Sequence, residues 1–150
     1  MPAKQNTTGL EPLLATQQNQ LNIIMSAGSS IDNKALAILA ADIAALAFIG
    51  QASIAFQSWL QHTALLGPYI LSLVFVALTV QPKKYLGASI DLTKHPEYLS
   101  LGDEALLLQL LADTQKAITH NQTINNLHWR QCLIAAGFTI IGTVILFAIL

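Results

Sequence analysis

One acidic side chain stands inside an apolar run. Residues 35–50 read ALAILAADIAALAFIG, and Asp42 is the sole charge among them. An ionised carboxylate facing lipid is costly, so Asp42 must face protein, water or a partner, or be neutral. Chemically this fits a pore-lining, gating or proton-coupled group. The plainer alternative is a protonated acid, or one hydrogen-bonding a packing face of small residues: Ala41, Ala44, Ala45 and Ser53.

Other polar residues have weaker claims to chemistry. Asp32 and Lys34 precede the apolar run at headgroup level, where a lysine snorkels and an aspartate is solvated. Ser29-Ser30 can cap a new helix there. Otherwise one helix passes straight through and Asp32 pairs with a basic group such as Arg130. Asn121, Asn125 and His128 form a polar seam. It reads either as solvent-facing residues or as hydrogen bonds across a bundle or a ligand pocket, since buried polar seam residues fix register. The four histidines, His62, His95, His120 and His128, are scattered, and the pair eight apart is too distant to share a metal within one helix. There is no Gly-rich phosphate loop, no His-Glu-x-x-His and no nucleophile elbow, so an enzyme is not expected.

Composition says what must position these residues. Of 150 residues, 53% are hydrophobic and 10% charged, and the mean hydropathy is +0.53. An average soluble domain is roughly 25% charged. So few charges barely make a water-facing skin, whereas a membrane protein needs little of one. The net charge of −1 supplies no basic field for nucleic acid. A single cysteine, Cys132, excludes an internal disulfide framework and a cysteine zinc site. The first residues, MPAKQNTTGLEPLL, do not read as a signal peptide.

Three stretches are apolar and long enough to be read as spans, each a helix because backbone groups in lipid must be satisfied internally. They are about Ala35–Leu60, about Ala64–Val80, and Cys132–Leu150. The second is short if it begins at Pro68; a start near Thr63 with a kink at Pro68 is expected, and Gln81-Pro82 stops it. A tight turn around Ser58–Thr63 makes the first two spans a hairpin of residues 35–80. Trp59, Tyr85 and Trp129 fall where interfaces are expected. Lys4 and Lys34 precede the first span. Lys83, Lys84, Lys94, Lys116 and Arg130 lie between the second and third. The positive-inside rule then puts the N-terminus and residues 81–131 in the cytoplasm and the C-terminus outside.

The cytoplasmic parts are read as a flexible start at 1–9, an amphipathic helix at 10–34, a loop at 81–102 hugging the membrane surface, and a helical stalk at 103–131. The first helix has a stripe of Leu10, Leu14, Gln17, Leu21, Ile24, Gly28 and Ile31, with a Gln/Asn-rich opposite face that suits a protein partner better than a lipid surface. The stalk has one stripe of Leu106, Leu110, Ala117, Ile124 and Leu127. A neighbouring stripe holds Leu107, Leu111, Thr114, Ile118, Asn121, Asn125, His128 and Cys132. No Gly or Pro separates Asp103 from Gly137, so the stalk is expected to run unbroken into the third span. The expected fold is all-α and membrane-integral: three spans, with the two amphipathic helices bundled.

At this point a resemblance enters. The Gln/Asn-rich helix, Asp32-Asn33-Lys34-Ala35 opening an apolar run with a polar residue at 42, a hairpin, and a leucine-rich helix leading into a last span resemble the transmembrane effectors of bacterial Pycsar anti-phage systems. The pattern is more loosely similar to the two-transmembrane effector domains of related defence systems. It covers most of residues 15–150, and Asp32-x-Lys34-Ala35 is its most specific part. The resemblance implies an inner-membrane effector that answers a cyclic nucleotide made during phage infection and impairs the membrane, arresting or killing the infected cell. No separate nucleotide-binding domain fits in 150 residues. A cyclic nucleotide would then bind the cytoplasmic helices or a partner, with Lys34, Lys116, His128 and Arg130 as phosphate-facing groups. Three short spans do not enclose a pore, so a homo-oligomer in the bilayer is expected. The alternatives are a structural or regulatory subunit of a membrane complex, and a small channel or transporter unrelated to defence.

Overall fold

The computed structural model describes residues 9–51, 59–87 and 101–149. Three long helices account for the regular structure there: α1 (Leu10–Gln51), α2 (Trp59–Thr79) and α3 (Asp103–Ile149). The described chain is all-α, and each helix contains a stretch long and apolar enough to cross a membrane. The chain divides into two compact units. One comprises Met1–Ala27 and Lys83–Asn125, the other Gly28–Pro82 and Asn126–Leu150.

α1 does not restart at Ser29-Ser30; it is a single helix of 42 residues through Asp32 and Lys34. Its one proline, Pro12, lies in the first turn, where a backbone N–H has no helical partner to lose. α3 is likewise continuous over 47 residues, opened by Asp103 and Glu104, whose charges suit a helix N-terminus.

α2 begins four residues before the expected start at Thr63. Trp59 and Leu60, assigned above to the end of the first span, are its first residues, and the expected turn at Ser58–Thr63 is helical from Trp59 onward. The Thr63 hydroxyl donates to Trp59 O at 3.1 Å within that first turn. The gain in length matters: 21 residues at 1.5 Å each give about 32 Å, a full crossing. Pro68 lies inside the helix and, lacking an N–H, leaves the Ala64 carbonyl without its usual partner. The link 52–58 and residues 88–100 of the expected loop lie outside the described residues; residues 82–87 are neither helix nor strand.

The second unit, unlike a water-soluble bundle, is apolar both inside and out. Two apolar clusters fill it: Ile31, Ala35, Val76, Cys132 and Ala135, and Ile49, Leu65, Tyr69 and Leu146. Phe75 and Phe138 stack beside the first, with centroids 6.0 Å apart. Asp42, Ser72 and Thr79 are also wholly buried. Outside stand Ile43, Ile70, Val74, Ile140, Val144 and Phe147, the last 74% exposed. In water such a surface would aggregate; in lipid it is solvated.

The first unit packs α1 on α3. Leu21, Ala117 and Ile118 form its buried centre with Ile24 against them. The α1 stripe residues of this unit, Leu10, Leu14, Gln17, Leu21 and Ile24, are buried or half-buried, and Gln18, Asn19, Gln20 and Asn22 are exposed. On α3 both stripes contribute, but the second is the more buried: Leu111, Thr114, Ile118, Asn121 and Asn125 all face inward.

Candidate functional site

Within the second unit each helix turns one stripe inward. On α2 it is Leu65, Tyr69, Ser72, Val76 and Thr79, spaced by fours and threes. On α3 it is Cys132, Ala135, Gly142 and Leu146, with half-buried Thr139 in register between them. On α1 it is Ile31, Ala35, Asp42 and Ile49. One polar residue from each stripe, Asp42, Ser72 and Thr139, meets the other two. The Ser72 hydroxyl donates to Asp42 Oδ2 at 2.6 Å, and the Thr139 hydroxyl to Asp42 Oδ1 at 2.7 Å. Ser72 Oγ and Thr139 Oγ1 are 2.9 Å apart, and Thr139 also lies 3.2 Å from Ala135 O in its own helix. Asp42 is 0% exposed. A second polar contact follows one turn along α3, where Tyr69 Oη and Thr143 Oγ1 are 3.3 Å apart.

The partners of Asp42 are therefore not the small residues of its own helix. Ala41 and Ala44 point outward, Ala45 is half-buried, and Ser53 lies outside the described residues. Reading α1 alone misses Ser72 and Thr139. The available signal was the spacing: Tyr69 and Ser72 on α2, and Thr139 and Thr143 on α3, are hydroxyls three or four apart in apolar runs, hence on one face.

At the other end of this unit, the Lys34 Nζ stands 4.7 Å from the centre of the Trp129 ring. Asp32 is half-buried, and Arg130 is exposed. The His128 Nδ1–H donates to Thr79 O at 2.7 Å, satisfying a carbonyl in the last turn of α2 that has no helical partner.

In the first unit the polar seam is not solvent-facing. Asn121 is 0% exposed and Asn125 8%. Asn121 Nδ2 donates to Leu86 O and Leu86 N donates to Asn121 Oδ1, both at 2.9 Å, so one amide satisfies both backbone groups of Leu86. Asn125 Nδ2 donates to Ile24 O at 2.6 Å, and its Oδ1 accepts from the Tyr85 hydroxyl. Asn121 and Asn125 thus tie α1, α3 and residues 85–86 together. Beside it, Leu86, Lys116, Thr119, His120 and Thr123 line an open pocket of about 450 Å³. The four α3 residues share one face of that helix, and His120 Nε2 lies 3.2 Å from Lys84 O. Of the phosphate-facing candidates, Lys116 lines this pocket; Lys34, His128 and Arg130 belong to the other unit. Among the described residues no three His, Cys, Asp or Glu side chains are grouped to hold a metal ion.

No family model, curated protein or solved structure matches the chain.

Proposed function

We propose that this chain is an oligomeric effector of the bacterial inner membrane, part of an anti-phage defence, that answers a cyclic-nucleotide signal by impairing the membrane. The observation that best supports this reading is the Asp42 carboxyl, wholly buried and held by hydroxyls from the other two apolar helices. Ionisable groups inside membrane helices mark functional elements by default. A polar contact shared by three helices is also a natural two-state element: it is either closed, as here, or opened toward water or toward another copy of the chain. In the closed packing the three helices satisfy the acid within a single chain, so an aqueous path requires rearrangement and several chains.

The signal would enter at the first unit. Lys116 lines the pocket there as a cation able to pair with a phosphodiester anion, while the Thr119 and Thr123 hydroxyls donate to Gln115 O and Thr119 O of their own helix. The ligand drives opening only if it binds the open packing better than the closed one. In this reading the N-terminus and residues 81–131 are cytoplasmic, as the basic residues direct.

The test is to express the chain in bacteria with a voltage-sensitive dye and to raise cyclic mononucleotides one at a time. Depolarisation that needs both the chain and one nucleotide, and that Lys116→Ala weakens, supports the proposal. Depolarisation by none of them, with the chain correctly inserted, overturns it and favours a docking subunit of a larger membrane complex.

A further inference from the structure

The layer of Asp42, Ser72 and Thr139 has a neighbour of different character. One turn toward the C-terminal ends of α1 and α3, the three helices contribute Ala45, Tyr69 and Thr143. With Phe48, Leu146 and Phe147 these residues line an open cleft of about 340 Å³ between α1 and α3. Phe48 and Phe147 are exposed, so the cleft opens on the outside of the bundle. Its two polar side chains are spent within the bundle. The Thr143 hydroxyl donates to Thr139 O at 2.8 Å, and the Tyr69 hydroxyl, on a wholly buried residue, lies 3.3 Å from Thr143 Oγ1. The cleft therefore offers carbon to whatever enters it. We propose that it seats one acyl chain of a bilayer phospholipid.

Three occupants compete for such a place. Water in a buried site needs two to four polar partners, and the lining supplies none that is free. A second helix is too large. About 10 Å across with its side chains, it fills roughly 420 Å³ for each 5.4 Å turn, more than the whole cleft. An acyl chain is narrow, unbranched and apolar, and it is the solvent of these spans. All six lining residues lie within the apolar stretches of the three helices. Left empty, the lining would forfeit dispersion contacts on one side. A chain seated there lies one layer from Asp42 and replaces packing that α1 and α3 do not supply to each other. Bringing α1 against α3 at this level expels it. The lipid thus favours the packing seen here over any in which the seam is closed. This inference requires only that the helices lie in lipid; it stands or falls apart from the effector reading and from any depolarisation measurement.

The probe is a phosphatidylethanolamine brominated along one acyl chain, added stepwise to the purified full chain in detergent. Bromine quenches tryptophan at close range. Trp59→Phe and Trp129→Phe clear the background, and Phe48→Trp places a reporter at the cleft. Quenching there is expected to saturate at one lipid per chain. A reporter on the exposed side of α2, Val74→Trp in the same background, is expected to show only quenching that grows without saturating. Ala45→Phe fills the cleft and should abolish the saturable part. If that variant does not fold, Phe147→Ala, at an exposed wall residue, should weaken it. Quenching at position 48 that never saturates, or that saturates equally in Ala45→Phe or Phe147→Ala, overturns the proposal. So does a lack of quenching at position 48, which in a self-associated chain would assign the cleft to a second copy.

Discussion

Gly142 lies directly against the ring of Tyr69. A Cβ at position 142 would stand 2.9 Å from both Tyr69 Cε2 and Cζ, closer than side-chain atoms tolerate. Tyr69 is 0% exposed and belongs to an apolar cluster with Ile49, Leu65 and Leu146, so its ring has little room to retreat. The small residue on α3 thus admits the large one on α2, a common device where helices pack in lipid. Gly142→Ala should destabilise the chain by about 1–3 kcal/mol through overpacking, measured by denaturant unfolding in detergent. Adding Tyr69→Leu should recover part of that loss. If the two substitutions are simply additive, the contact does not matter.

The Asp42 carboxyl and its two hydroxyl partners predict coupling. Ser72→Ala and Thr139→Val each remove one hydroxyl from a buried carboxyl, and each should cost about 1–3 kcal/mol. Because the three groups share contacts, the double variant should deviate from additivity by about 0.5–3 kcal/mol. A double-mutant cycle on the unfolding free energies reads this directly; strict additivity would mean the groups do not act together.

Asn121 should be replaceable by no other residue without loss. Its amide supplies one donor and one acceptor to Leu86. Asn121→Asp keeps the acceptor but sets a carboxylate against Leu86 O, and Asn121→Leu removes both bonds. In either variant the Leu86 segment should loosen, with faster amide hydrogen exchange at residues 84–87 and a loss of about 1–3 kcal/mol per unsatisfied buried group. Unchanged exchange would show that the segment is held by other contacts.

Lys34 over Trp129 predicts an optical signal. The chain has two tryptophans, so Trp59→Phe leaves Trp129 as the sole reporter. In that background Lys34→Met should shift Trp129 emission and cost about 0.5–1 kcal/mol, the range for a cation–π pair at an exposed site. An unchanged emission spectrum would remove the interaction from the account.

Much of this fold was written in local sequence. The apolar runs, the lack of charge within them, and the stripe from Leu10 to Ile31 required long helices with one face turned inward, because period and hydropathy act residue by residue along a chain. The uninterrupted passage from Asp103 into the last apolar run was equally legible, since no Gly or Pro breaks it before Gly137. The start of α2 was not. Trp59–Gln61 carry no cap or breaker, so nothing in their types marks where the helix begins.

The partners of the polar residues belonged to the tertiary structure alone. Asp42 announced itself, but which hydroxyls would meet it depended on the rotation of α2 and α3 about their own axes, fixed by the whole inward stripe of each helix. Likewise Asn121 and Asn125 have the same types whether they face water or a backbone 35 or 101 residues away. A sequence states what each helix must bury; only packing decides what it buries it against, because a hydrogen bond between helices needs two faces to be set at once.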